Sequence, residues 1–140
     1  MKKERKKRVG RFFLLLLAGA LVAALVVALV WGQRISELRT YRRQISAIEL
    51  SGVDLQAMED GVYEGSQESI WVGAKVKVKV KDHRIEDIQL EHRHDRGIEA
   101  EKLVDEVILK QDTQLDVVSG ATSSSLVILK SIENALKNKI

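Results

Sequence analysis

The sequence predicts an α+β fold, a small antiparallel sheet with two packed helices, preceded by one N-terminal transmembrane helix. Three patterns in the 140 residues carry that expectation. Residues 12–31 contain no charge. Residues 75–81 alternate Lys with Val, the period of a strand with one buried face. Ala100, Leu103, Val104, Val107 and Ile108, and later Leu126, Leu129, Ile132, Ala135 and Leu136, recur at helical spacing. The expected organisation is a basic tail over residues 1–11, a membrane helix over 12–32, a helical connector over 33–59 and a folded domain over 60–140.

The run FFLLLLAGALVAALVVALVW has 20 residues. As a helix it spans roughly 30 Å, the thickness of a bilayer's hydrocarbon core. Phe12 and Phe13 open it and Trp31 closes it, where interfacial aromatics are favoured. Seven Lys and Arg precede it and four follow as far as Arg43. That bias predicts a cytoplasmic N-terminus and an extracytoplasmic domain. A cleaved signal peptide is the competing reading. The run exceeds the usual apolar length of about 7–15 residues, and LVWGQ is a poor cleavage site, so an uncleaved anchor is expected.

Charge is divided unevenly. Residues 1–59 hold 11 Lys and Arg against 5 Asp and Glu, and residues 60–140 hold 12 against 15. The folded part is mildly acidic, which argues against nucleic acid as a partner. With no cysteine, disulfides, thiolate metal sites and thiol catalysis are excluded.

In the connector, Ile35, Leu38, Tyr41, Ile45 and Ile48 form one apolar stripe. It predicts either a helix lying over the domain or the lipid surface, or a short dimer seam. Ser51 and Gly52 break the pattern, and a second loop signal falls at Asp60 and Gly61. GVYEGSQ at residues 61–67 reads as a first strand, and residues 71–81 as a second, with Val76, Val78 and Val80 buried. The lysine row opposite is expected to be a solvated face that discourages edge pairing. A short turn at Asp82 and His83 leads to a third strand carrying Ile85, Ile88 and Leu90.

EHRHDRG at residues 91–97 is expected to be a loop whose polar side chains line a ligand site. His92 and His94, two apart, share a face on a strand and could begin a metal site. No third ligand has convincing spacing, so no metal is expected. A helix follows, with Glu99, Glu101, Asp105 and Glu106 early and Lys110 late, as the helix dipole favours. Residues 115–118 predict a short strand. The last helix carries Lys137 and Lys139 at its end.

Directly before that helix stands the densest hydroxyl cluster, DVVSGATSSS at residues 116–125. A helix N-terminus leaves N–H groups unpaired and carries partial positive charge, which suits a phosphate. Gly120 allows a turn and a close approach. Ordinary N-capping by Ser or Thr explains the same residues, and the two readings stay open on composition alone.

The chain from about Asp60 to Leu136 resembles the FMN-binding domain family, which also supplies the flavin-carrying subunits of sodium-pumping quinone reductases and their ferredoxin-linked relatives. DGVYEG at residues 60–65 resembles the family's opening DGxYxG. DVVSGAT at residues 116–122 resembles its signature DxxSGAT. The resemblance implies FMN, joined by a phosphoester to Thr122 by a separate magnesium-dependent flavin transferase that draws on FAD. Asp116, Ser119, Gly120, Ala121 and Ser123 would complete the cofactor-binding sequence. Trp71, Tyr63, His92 and His94 are candidates for contacting the isoalloxazine ring. The family's hairpin turn is usually Asp-Gly or Asn-Gly, so Asp82 and His83 imply a different turn type. The expected role is a membrane-anchored electron-transfer flavoprotein with a membrane or extracytoplasmic redox partner. The alternatives are reversible FMN binding, a tethered binding or assembly module without flavin, and an oxidoreductase with its own substrate.

Overall fold

The structure, a computed structural model, describes residues 2–94 and 96–137, with side chains from residue 13 onward. Lys139 and the basic side chains of the N-terminal tail lie outside the described residues. Two compact units divide between Arg39 and Thr40.

Helix α1 spans Lys2–Ser46. From Phe13 it is long and apolar enough to cross a membrane, and its Leu, Val and Trp side chains are exposed through Trp31. Ile35 and Leu38 of the connector stripe are exposed as well. In the second unit Ile45 is buried, while Tyr41 and Ile48 pack against the core. That part of the stripe lies over the domain. The helix ends at Ser46, before the Ser51–Gly52 breaker, and Ile48 donates its N–H to the Ile45 carbonyl in a tightening turn.

Strands β1 (Gly61–Glu68), β2 (Gly73–Lys81) and β3 (Arg84–Arg93) form one antiparallel sheet in that order. Val76, Val78 and Val80 are buried. The opposite row is wet, and its lysines meet cross-strand acids: Lys77 lies 3.0 Å from Glu64, and Lys79 lies 2.6 Å from Glu86. Lys79 pairs with Asp87 while Val80 pairs with Ile85, so β3 bulges at Glu86. The extra residue lets Ile85 and Ile88, three apart, both face the core.

Asp82 and His83 both have positive φ, 50° and 59°. This is the left-handed pair that a two-residue hairpin turn requires, so the expected change of turn type is not found. Asp and His tolerate that region better than most residues. The turn is also held: the Asp82 N–H donates to Asp60 Oδ1 at 2.8 Å, and His83 Nδ1 lies 2.8 Å from the Met58 carbonyl.

A 3-10 turn at Ile98–Lys102 precedes α2 (Leu103–Lys110). Glu99 and Glu101 therefore sit in the 3-10 turn, ahead of the α-helix. The strand expected at residues 115–118 is absent. Those residues are coil, and the Val118 N–H is taken by the Ser125 hydroxyl at 3.0 Å, leaving no ladder for it to join. Helix α3 (Thr122–Lys137) packs across β1 and β2, and α2 packs against β3. Its buried surface is wider than its sequence stripe. Val127 and Ile128 are fully buried, while Leu126 is half-buried.

Glu133 is fully buried on α3. Its Oε1 accepts from the backbone N–H of Ser51 at 2.8 Å and of Gly52 at 2.7 Å, and from the Thr113 hydroxyl at 3.1 Å. Its Oε2 faces Lys130 at 3.1 Å and Lys137 at 3.4 Å. One carboxylate thus pins two loops to the helix. Burial pushes its pKa up, but Lys130, the Gly52 and Ser51 amides and Thr113 outweigh burial and hold it below its ordinary value of 4.5. A depressed carboxylate pKa contributes stability above the unfolded value and loses it as pH falls through the folded one. The thermal midpoint of the domain is therefore expected to fall as pH drops below about 4.5. Glu133→Gln should flatten that acid limb in thermal scans across pH. Glu133→Ala, which leaves its partners unpaired, should cost about 3–5 kcal/mol.

Candidate functional site

Thr122 opens α3 and is exposed. The residue before it, Ala121, accepts the Ser125 N–H at 2.9 Å and so occupies the cap position. Alanine offers no side-chain acceptor, so the cap position is not filled by a hydroxyl of the cluster. Ser125 is spent locally, its Oγ donating to the Ala121 carbonyl at 2.8 Å. Gly120 has φ of 81°, a left-handed conformation that suits glycine, and it closes the turn feeding the helix.

The loop after β3 reaches the same helix end. Gly97 has φ of 119°, and a Cβ there would stand 2.6 Å from Ser124 Oγ. Only glycine lets this backbone lie so close to α3, and it brings Arg96 to the same place. Arg96 is exposed and makes no ion pair with any described residue.

A third wall comes from the loop between β1 and β2. Ser69 folds it tightly, with its hydroxyl 2.7 Å from the Val72 carbonyl. The Ile70 N–H donates to Gln44 Oε1 at 3.2 Å, tying the loop to the end of α1. Trp71 is thereby set against Tyr41, with ring centroids 4.7 Å apart and planes inclined by 40°.

These walls enclose an open cavity of about 440 Å³, lined by Tyr41, Trp71, Val72, Arg96 and the run from Gly120 to Ser124. One end is aromatic. The other combines hydroxyls, a guanidinium and a helix N-terminus, all suited to an anion. Ser124 Oγ is buried with no partner among the described residues. An unpaired buried hydroxyl beside a cationic wall fits a phosphate, and an aromatic pair fits a planar ring. The donors and walls thus suit a flavin mononucleotide.

The structure brings together Gly120, Ala121, Thr122 and Ser123 of the expected site. Asp116 and Ser119 are exposed and line a neighbouring depression with Glu99, Lys102 and Lys110. Of the four ring-contact candidates, Trp71 lines the cavity and the others do not. Tyr63 donates its hydroxyl to the Glu59 carbonyl at 2.9 Å, and His92 and His94 turn inward. Tyr41 and Arg96 are the residues that pattern reading missed. Tyr41 was legible only as part of an apolar stripe, and Arg96 only as one polar residue of a charged loop.

A family model for the FMN-binding domain matches residues 70–137. The match takes in every cavity residue except Tyr41. No curated protein matches the chain.

Proposed function

Residues 70–137 belong to the FMN-binding domain family, and from that premise we propose that the protein is a membrane-anchored flavoprotein. Its FMN is joined to Thr122, held outside the cytoplasm and used to pass electrons to or from a redox partner. The observation that carries the reading is the meeting of exposed Thr122, a helix N-terminus, Arg96 and the Tyr41–Trp71 pair at one cavity.

Each residue has a distinct task. Thr122 is the acceptor. Loading from FAD by a flavin transferase would form a bond between Thr122 Oγ1 and the FMN phosphorus and break the pyrophosphate P–O bond. AMP would leave and the hydroxyl proton would be released. Arg96 and the α3 amides would offset the remaining phosphate charge. Tyr41, Trp71 and Val72 would hold the ring and exclude water from one side of it. Bound FMN supplies the redox chemistry, and the protein supplies placement and tuning. Asp116, Val117 and Ser119 form an exposed edge beside Thr122, accessible to a folded transferase as a recognition sequence. The basic residues ahead of the membrane helix support the outward placement of the domain.

The deciding experiment is the intact mass of the full chain made in cells that possess the flavin transferase. An adduct of one FMN less one water is expected. FMN recovered free after denaturation would leave reversible binding, and protein without FMN in either form would end the flavin reading. Trp71→Ala is expected to keep the adduct but raise flavin emission several-fold at equal loading, because an adjacent indole quenches flavin fluorescence. Unchanged emission would place the ring elsewhere.

A further inference from the structure

A second cluster lies outside the cavity, and it stands independently of the flavin reading. We propose that His92, His94 and Glu101 bind one zinc ion. His92 lies near the end of β3 and His94 just beyond it, with ring centroids 4.6 Å apart and planes inclined by 30°. Glu101 arrives from the 3-10 turn, the third ligand that sequence spacing alone does not reveal. One donor atom from each residue lies within 4.8 Å of the others.

The hydrogen bonding leaves these histidines unfinished. The His92 side chain is 1% exposed, and its Nδ1 lies 3.1 Å from Glu101 Oε1. With the ring neutral and Nδ1 donating to that carboxylate, Nε2 presents a lone pair. That Nε2 and His94 Nδ1 are both buried, and neither has a partner among the described residues. Buried polar atoms left unpaired are costly, which makes such a pair unusual. A cation between them satisfies both.

Two neutral imidazoles and one carboxylate, without thiolate, form a donor set for zinc with a fourth position open to water. The Glu101 side chain is 43% exposed, and to ligate the ion it would exchange its bond to His92 Nδ1 for the metal. The ion would tie the end of β3 to the 3-10 turn. Between those anchors lies the segment that carries Arg96 to the cavity and seats Gly97 against Ser124. Zinc would thus brace one wall of the cavity without touching it.

The test uses the full chain without a polyhistidine tag, in detergent micelles, stripped by a chelator and titrated with zinc. One zinc per chain is expected, with a thermal midpoint that rises with zinc concentration. His92→Ala and His94→Ala should abolish uptake, and Glu101→Gln should weaken it about tenfold. His83→Ala, on the hairpin turn, should bind as the wild type does. Absence of one-to-one uptake by the wild type would overturn the proposal, as would uptake unchanged in both histidine variants. Should those variants fail to fold, zinc X-ray absorption on the loaded wild type decides. Two imidazole ligands sustain the site, and fewer than two refute it.

Discussion

Thr122→Ala, made in cells with the flavin transferase, is expected to emerge with no mass adduct and no flavin fluorescence in a denaturing gel. The effect should be complete, because the variant lacks the only atom at that position able to form the phosphoester. The fold should survive. Thr122 is exposed at the first position of α3, and the cap is already an alanine, so the stability change should stay within about 0.5 kcal/mol. Thr122→Ser keeps a hydroxyl on the same backbone and should retain part of the loading. Asp116→Ala lies outside the cavity. It should lower loading by weakening recognition, with no change in the spectrum of whatever flavin is attached. Full loading of Thr122→Ala would place the bond on another hydroxyl of the cluster.

Gly65→Ala is expected to produce a large loss of stability. A Cβ at Gly65 would stand 2.6 Å from the Ala135 Cα and closer still to the Ala135 amide and the Ser131 carbonyl. All three are backbone atoms of α3, so no rotamer change relieves the clash. The helix must lift from β1, against which much of the core is packed. The expected cost is about 3 kcal/mol or more, at the upper end for overpacking. In a domain of this size that lowers the thermal midpoint by roughly 12–24 °C. Gly61→Ala is the matched control. Its Cβ would meet only the Tyr63 ring, at 3.7 Å or beyond, and the variant should unfold close to the wild type in the same circular dichroism melt. Equal behaviour of the two variants would refute close approach as the reason for the glycine in DGVYEG.

The same motif shows how far pattern reading extends. Asp60, Tyr63 and Gly65 are recognisable as a family opening, yet the work of Asp60 and Gly65 is tertiary. Asp60 holds the hairpin turn 22 residues away, Tyr63 bonds the Glu59 carbonyl, and Gly65 admits α3. The alternating valines and lysines of β2 were legible because strand period is a local property. The bulge at Glu86 was not, since it depends on the register of a neighbouring strand. Residues 115–118 misled for a related reason: four apolar-rich residues favour extension, but the Val118 N–H is claimed by the Ser125 hydroxyl instead of a neighbouring strand.

Sequence alone determined the apolar helix, the order of the three strands and two packed helices, and the placement of SGAT at a helix N-terminus. Each follows from interactions between residues a few positions apart, or from bulk polarity against water and lipid. Only the tertiary structure decided which side chains share a space. It set Tyr41 against Trp71, carried Arg96 to Thr122, separated Asp116 and Ser119 from the cavity, and delivered Glu101 to a half-buried histidine pair. It also placed Glu133, one acid in a mid-helix run, under two loops from distant parts of the chain. Such meetings depend on how the helices cross the sheet, and that crossing is set by packing volume at positions such as Gly65, which local spacing does not encode.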